Sequence, residues 1–125
     1  MIRLGAIVLN VSDTVSASAF WSQALGYRPA ANPDFLLPAA GLAPRLHLDT
    51  SDRTHLDCWV EGPDEQAAEV ERLIALGATR VDWDYPEGAD FVVLAAPGGT
   101  CFCVVDVGAP PPAASPQASP PQTGP

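Results

Sequence analysis

Three side chains with chemical potential alternate along one short stretch of this chain: His55, Asp57 and Trp59. A period of two places residues on the same face of a β-strand, so an imidazole, a carboxylate and an indole are expected to lie side by side. An imidazole next to a carboxylate can exchange a proton, form an ion pair or bind a metal, and an indole offers a flat surface for stacking. The pattern therefore predicts a strand whose polar face lines a pocket.

Several roles for His55 are compatible with the sequence. With His47 and Cys101 it would supply two imidazoles and a thiolate, which could hold zinc with one open position. As a hydrogen-bonding residue of a ligand pocket, the preferred interpretation, it needs no metal. As a structural residue it would pair with Asp57 or Asp49. A further alternative is a general base that Asp57 orients.

Three aromatic residues are candidates for ligand binding: Trp59, Trp83 and Tyr85. We expect all three on strands that face the pocket, where they would stack on a planar or cationic guest. Asp57 would add negative charge beside these rings. Packing in the core or in a dimer explains each aromatic residue equally well when it is taken alone.

The cysteines indicate free thiols. Cys101 and Cys103 are two residues apart on one predicted strand, so they point the same way at a separation unsuited to a disulfide. Free thiols favour a cytoplasmic location. Cys101 is a candidate ligand-binding residue and would be a nucleophile if a neighbouring histidine lowered its pKa, but no nucleophile motif surrounds it and an inert thiol is the preferred interpretation.

Composition narrows the classes of partner. The 125 residues carry 15 acidic and six basic side chains, for a net charge of -9. Such a charge disfavours nucleic acid, whose phosphates are bound mainly by basic residues. It suits a cationic ligand, although acidity also simply keeps a protein in solution. The chain has no apolar run of about 18 residues, so no membrane span is expected.

The chain contains two copies of one plan, a strand followed by a helix. We predict that Asp13 and Asp64 cap helices that end near Gly26 and Gly77. In the first helix we expect Phe20 in the core. The other core predictions are Trp21 in that helix and, in the second, Ala67, Val70 and Ile74, with Glu65, Glu69 and Arg72 on the outer side. Further strands are predicted over residues 27–29, 35–37, 45–50, 78–85, 90–95 and 100–107.

The order of one strand, one helix and three strands, found twice with Leu-Gly at the helix ends, resembles the vicinal oxygen chelate superfamily of glyoxalases, bleomycin-resistance proteins and extradiol dioxygenases. The resemblance covers residues 1–107 and is carried best by RTHLD (53–57), VERL (70–73), LGA (76–78) and VVLA (92–95). It implies an α+β fold. Two tandem βαβββ modules, about 1–50 and 53–107, would form a concave, mostly antiparallel sheet with helices outside. Residues 108–125 are rich in proline and are expected to be a disordered tail.

The resemblance also implies four places for metal ligands, and these correspond to Ala6, His47, His55 and Cys101. Alanine cannot bind a metal, and the last place usually holds glutamate. We therefore expect no cofactor, with a divalent metal as the alternative.

The sequence thus favours a small-molecule binding protein of the bleomycin-resistance type. It would sequester an aromatic, cationic antibiotic or metabolite without a metal, and by resemblance it would be a homodimer. The alternative is a metal-dependent lyase, isomerase or dioxygenase of the same superfamily.

Overall fold

The structure is a computed structural model that describes residues 1–39 and 43–108. Its elements follow the predicted order of two βαβββ modules, which confirms the α+β fold class. In chain order they are β1 (Arg3–Asn10), α1 (Thr14–Leu25), β2 (Arg28–Pro29), β3 (Phe35–Leu37), β4 (Arg45–Asp49), β5 (His55–Val60), α2 (Pro63–Ala75), β6 (Thr79–Arg80), β7 (Phe91–Ala95) and β8 (Cys101–Asp106).

The chain divides into two compact units. The first unit is residues 4–57, and the second unit is residues 1–3 together with the chain from Cys58 onward. The module boundaries expected from the sequence stay a prediction. All but the first residue of the predicted proline-rich tail lies outside the described residues.

In the first unit the strand order is β2-β3-β4-β1. β1 runs parallel to β4, and the other two pairs are antiparallel. The side chain of Asp13 accepts a hydrogen bond from the N–H of Val15 at 3.0 Å, and Gly26 ends α1 at a φ of 72°, as predicted. The core under α1 consists of Leu36, Leu46 and Leu48, packed against Ile7, Leu9, Val11, Ala17, Trp21 and Tyr27.

The core prediction for Trp21 is confirmed, but the one for Phe20 is wrong, since 62% of Phe20 is exposed. Ala17 and Trp21 lie about one turn apart and take the inward side of α1. The residue before Trp21 is rotated by about 100° around the helix, which carries Phe20 out of the core. Its ring instead rests edge-on against Trp21, with ring centroids 5.0 Å apart.

In the second unit the strand order is β5-β8-β7-β6, and α2 packs on one side of it. This core consists of Val60, Val70, Ala78, Leu94 and Val104, with partly buried apolar neighbours that include Leu73 and Ile74. Gly62 precedes α2 without a side-chain cap, so the predicted capping role of Asp64 is wrong. Proline at the first position, Pro63, starts the helix instead, because its missing N–H would have had no helical acceptor.

Two predicted orientations on α2 are also wrong. Glu69 is buried, although it was expected on the outer side, and Ala67 is exposed. Glu69 can be buried because its carboxylate accepts hydrogen bonds from Arg72 at 2.9 Å and from the backbone N–H of Ile2 at 2.7 Å. A buried carboxylate is stable only when such donors satisfy it.

The strand predicted over residues 78–85 is wrong beyond Arg80. The N–H of Val81 still donates to the carbonyl of Val93 at 3.2 Å. The N–H of Val93, however, donates to the Tyr85 hydroxyl at 2.8 Å. A side-chain oxygen therefore takes the place of the next backbone acceptor, and the segment from Asp82 leaves the sheet.

Candidate functional site

Alternate residues of β4 form a polar face in the first unit. Leu46 and Leu48 point into the core under α1, so Arg45, His47 and Asp49 lie on the opposite face. On β3, Phe35 is paired in register with His47. The arrangement places two basic side chains and an aromatic ring on the side of the sheet that does not carry the helix.

The Phe35 ring packs against both basic side chains of this face. The Arg45 guanidinium lies over Phe35 at 4.8 Å, within range of a cation–π contact, and the His47 ring stacks on Phe35 at 4.3 Å. Burial lowers the pKa of Arg45, and the nearby Asp57 carboxylate acts against it. Burial also lowers the pKa of His47, with Asp49 at 3.7 Å as the first opposing charge. At neutral pH the His47 ring is therefore neutral.

His55 and Asp57 form a close pair at the start of β5. His55 Nε2 lies 3.2 Å from Asp57 Oδ1, and Asp57 is only 2% exposed. The Nδ1 of His55 lies 2.8 Å from the Arg53 carbonyl, which can only accept, so Nδ1 carries a hydrogen. Nε2 is left to face the carboxylate. The sequence left Asp57 and Asp49 open as partners of His55, and in the structure the neighbour is Asp57. Asp57 is therefore buried and is not part of the solvent-exposed surface.

The family's metal positions are only partly occupied by ligand side chains. Ala6 is buried on β1 and pairs in register with Arg45, so this position offers no donor and lies opposite a cation. His47 and His55 both belong to the first unit, whereas Cys101 belongs to the second, where it pairs in register with Ala95 and is half-buried. The metal set His47, His55 and Cys101 stays a prediction.

Cys58, Cys101 and Cys103 are not in disulfides, as predicted. The register of β8 with β7 places Cys103 opposite Val93 and Cys101 opposite Ala95, so the two thiols share one face of the strand. Cys103 packs in a second apolar cluster with Phe91, Val93 and Val105.

Trp59 forms part of the wall of the second unit. It is half-buried against the apolar cluster that contains Phe91 and Cys103. The guanidinium of Arg3 lies 5.5 Å from the centre of its ring and 3.4 Å from the Glu61 carboxylate. One cation from the protein itself therefore already lies over this indole.

Trp83 and Tyr85 lie on the segment between β6 and β7 rather than on a strand. Trp83 is 47% exposed and Tyr85 is 39% exposed. The hydrogen bond from Val93 holds the Tyr85 hydroxyl, and the Phe91 ring lies 5.4 Å from the Tyr85 ring at a tilt of 53°. An open groove of about 350 Å³ is lined by Arg80, Tyr85, Pro86, Ala89, Phe91 and Val92.

The sequence analysis missed four residues of these two surfaces. Phe91 was assigned only to a strand, and Asp82 and Asp84, which are exposed, were not among the candidate residues. Their alternation with Trp83 and Tyr85 was the available signal. In the first unit, Arg45 precedes His47 by two residues, and that spacing could have placed it on the same face.

A family comparison agrees with this architecture. The family of glyoxalase-like domains matches residues 6–105. The chain belongs to the glyoxalase-like domain family. This membership accounts for the repeated βαβββ plan and covers both units.

Solved structures show the same fold at low sequence identity. The chain is similar to an NAD-dependent benzaldehyde dehydrogenase from Legionella pneumophila, with 12% identity, a TM-score of 0.60, and 81% of this chain and 96% of that one covered. It is also similar to methylmalonyl-CoA epimerase from Mycobacterium tuberculosis, with 18% identity, a TM-score of 0.53, and 86% and 88% covered. A hypothetical protein from Bacillus halodurans C-125 has 14% identity and a TM-score of 0.55, with 89% and 98% covered.

No curated protein matches the chain. Across residues 1–39 and 43–108, no helix is both long and apolar enough to cross a membrane.

Proposed function

We propose that this glyoxalase-like protein binds an aromatic, cationic small molecule without a metal and sequesters it, as bleomycin-resistance proteins do. The observation that carries the proposal is the exposed Tyr85, which lines an open groove, on a segment that also carries the exposed Trp83 and exposed carboxylates. Trp59 with its Arg3 contact, and Asp57 in its pair with His55, are occupied by the protein itself.

Tyr85 is positioned before any ligand arrives. Its hydroxyl accepts a hydrogen bond from Val93 and its ring packs against Phe91, while more than a third of the side chain stays accessible. A ring that is already held in place loses little conformational entropy on binding, so stacking contributes more of its free energy to affinity. Trp83 supplies a second, larger aromatic surface two residues away.

Charge favours a cationic guest at this place. Asp82, Asp84 and Glu87 are exposed along the segment, and one cation, Arg80, lines the groove. The Arg80 guanidinium is paired with Glu71 at 3.3 Å. The carboxylates therefore outnumber the basic groups, and a cation over an aromatic ring gains a further contribution from the ring's negative face.

Two residues of the first unit, Ala6 and Arg45, support binding without a metal. The first family ligand position is Ala6, and Arg45 lies opposite it. A guanidinium repels a divalent cation, so this face is better suited to holding polar groups of the protein together than to recruiting a metal.

The proposal predicts that Trp83→Ala weakens binding of a planar aromatic cation. Ethidium is a suitable first probe, with anionic fluorescein as its counterpart, and tryptophan quenching reports binding. We expect Trp83→Ala to weaken ethidium affinity by about 10-fold or more, since stacking on one aromatic ring contributes roughly 1–3 kcal/mol. Isothermal titration calorimetry provides a readout that does not depend on the lost indole.

Asp84→Asn tests the charge and Asp64→Asn is its matched control. Both substitutions remove one exposed carboxylate, but Asp64 lies in the first turn of α2 and not beside the aromatic pair. We expect only Asp84→Asn to reduce the preference for ethidium over fluorescein. Equal affinity of wild type and Trp83→Ala for every aromatic cation tried would contradict the proposal.

A metal-dependent lyase, isomerase or dioxygenase is the second candidate. It is favoured by the 3.2 Å between His55 Nε2 and Asp57 Oδ1. Two ligands of one tetrahedral zinc lie about 3.3 Å apart when their bonds are about 2.0–2.1 Å long, so these atoms could both bind a single ion. Such a metal would polarise adjacent oxygens of a substrate. His55 and Asp57 would hold it.

A further inference from the structure

The open groove of the second unit has a lining that suits proline. Its walls include the rings of Tyr85, Pro86 and Phe91 and the side chains of Ala89 and Val92. The Tyr85 and Phe91 rings lie 5.4 Å apart at a tilt of 53°, so the aromatic wall has two orientations. Grooves lined by aromatic rings commonly bind proline-rich segments, because a polyproline helix is already extended and loses little entropy on binding.

Tyr85 combines an apolar face with a hydroxyl that can still donate a hydrogen bond. The hydroxyl accepts from the N–H of Val93 at 2.8 Å, and a phenol that accepts one hydrogen bond keeps its own hydrogen for another acceptor. A polyproline helix has no internal backbone hydrogen bonds, so its carbonyls are available as acceptors. The groove therefore offers a ring for packing and a donor for a carbonyl.

The chain itself contains a segment of this chemistry, residues 109–125. Seven of these 17 residues are proline, and the first three prolines are consecutive, at 110–112. None of the 17 side chains is charged. The exposed carboxylates of Asp82, Asp84 and Glu87 would repel an acidic peptide, but they do not repel an uncharged one.

The register of the sheet brings the start of this segment close to the groove. β8 is antiparallel to β7, with Val105 opposite Phe91, and the N–H of Asp106 donates to the Asp90 carbonyl at 2.8 Å. The chain thus leaves the sheet beside the start of the strand that lines the groove. Tyr85 lies on the other side of that strand, about two strand spacings or roughly 10 Å away.

We propose that residues 110–112 bind in this groove of their own chain. A polyproline helix advances about 3.1 Å per residue, so four residues from position 109 span roughly 12 Å, enough to reach Tyr85 and Phe91. The run at 110–112 is the first proline-rich stretch after the sheet, and three residues make one full turn of such a helix.

The short connection favours this segment over a proline-rich segment of another protein. A group held a few residues from its site has an effective concentration on the order of millimolar. Because the groove is small and open, we expect its affinity for any proline-rich peptide to be weak. A free peptide at micromolar concentration would then leave the groove largely empty, whereas the same contact within the chain would fill it.

The contact itself does not depend on the proposed function, but one consequence of it rests on that function. An aromatic cation that stacks on Tyr85 would compete with residues 110–112 for the same ring. The segment then acts as an internal competitor that lowers the affinity for the ligand.

Fluorine NMR of the full chain, labelled with 3-fluorotyrosine, tests the contact without any ligand. The chain has two tyrosines, and Tyr27 is an internal reference because it lies in the first unit, where its hydroxyl donates to the Pro44 carbonyl. The test variant carries three substitutions: Pro110→Ser, Pro111→Ser and Pro112→Ser. We expect it to shift the Tyr85 signal and to leave the Tyr27 signal in place.

The matched control removes as many prolines farther along the same segment: Pro116→Ser, Pro120→Ser and Pro121→Ser. We expect its Tyr85 signal to equal that of the wild type. A synthetic peptide of residues 109–125, added at about 5 mM to the test variant, should return the Tyr85 signal toward the wild-type position, because it reaches the effective concentration of the connected segment.

Four results would overturn the proposal. An unchanged Tyr85 signal in the test variant means that the segment does not bind in the groove. Equal shifts in the test variant and the control mean that residues 110–112 are not the binding element. A wild-type signal that changes with protein concentration means that the segment comes from another copy. A peptide that shifts the Tyr85 signal equally in wild type and test variant means that the groove is open to a segment from outside.

Ethidium titration of the same proteins separates this inference from the proposed function. When both hold, the test variant binds ethidium about 10-fold more tightly than wild type, for an effective concentration on the order of 1 mM and a segment affinity on the order of 0.1 mM. A Tyr85 signal that shifts in a protein without ethidium binding supports the contact and contradicts the proposed function. Equal ethidium affinity together with an unchanged Tyr85 signal contradicts the contact alone.

Discussion

At the scale of single residues, Asp57 is a buried carboxylate that interacts with two basic side chains. It is buried beside the His55 imidazole at 3.2 Å, and its charge also acts on the buried guanidinium of Arg45. Burying a carboxylate costs free energy that only opposite charges and hydrogen bonds offset. Asp57 therefore balances two basic groups, and its burial explains why it cannot be the exposed anion of a ligand site.

Asp57→Asn is expected to lower the free energy of unfolding by about 3 kcal/mol, because it leaves buried basic groups without their counter-charge. Urea denaturation at neutral pH measures the loss. Asp64→Asn, which removes an exposed carboxylate, should change the stability by no more than about 0.5 kcal/mol. If the two variants lose the same stability, the charge of Asp57 is not what holds this region together.

At the scale of elements, α2 shows how a helix can turn a charged residue inward. Val70, Leu73 and Ile74 anchor it to the sheet of the second unit. Glu69 lies on the same side, where hydrogen bonds from Arg72 and from the N–H of Ile2 hold its pKa at about 2, well below 4.5. The carboxylate thereby ties α2 to the start of β1.

This low pKa predicts acid sensitivity. A carboxyl whose pKa is lower in the folded state stabilises the protein fully above its unfolded pKa of 4.5 and loses that contribution as the pH falls toward about 2. Glu69→Gln should therefore be less stable than wild type at neutral pH, and the difference should shrink as the pH falls through this window. Chemical denaturation at a series of pH values measures both curves.

Glu71→Gln is the control for this pH series. Glu71 pairs with Arg80 at 3.3 Å, but both side chains are largely exposed, so the pair contributes little. We expect its pH curve to follow that of the wild type. A Glu69→Gln curve that runs parallel to the wild-type curve would show that this carboxylate does not govern acid stability.

At the scale of the whole molecule, the family resemblance implies ligand positions along both halves of the chain, and this sequence does not have a donor at each of them. Ala6 supplies no donor, and Arg45 lies opposite it. His47 and His55 supply two donors within one unit. The match over residues 6–105 shows the family. Whether the protein binds a metal depends on which of these ligand positions carry a donor.

Metal content separates the two candidate functions. We expect reduced, untagged protein to hold far less than one equivalent of metal, before and after reconstitution with zinc, manganese and iron, because the first family position has no donor. His55→Gln should leave that content unchanged. Mass spectrometry of the metals measures it, with Cys58→Ser as a control that removes a thiol outside the expected ligand set. Near-stoichiometric metal that disappears only in His55→Gln would instead favour the enzyme.

The sequence by itself determined the order of the elements and the faces of the strands. Ile7, Leu9 and Val11 alternate along the sequence with a period of two, and all three pack in the core under α1. Asp13 and Gly26 marked the ends of α1. Both signals are local, because a helix cap and a glycine with a positive φ involve only residues that are neighbours in the sequence. These features depend on local backbone geometry, which neighbouring residues specify.

Only the tertiary structure decided which residues are buried or paired. Phe20 and Trp21 are adjacent aromatic residues, and the position of the sheet selected Trp21 for the core. Glu69 was turned inward by a backbone N–H that lies 67 positions away in sequence, and β6 ended where the Tyr85 hydroxyl reached Val93. Such outcomes depend on contacts between distant segments, which no local period encodes.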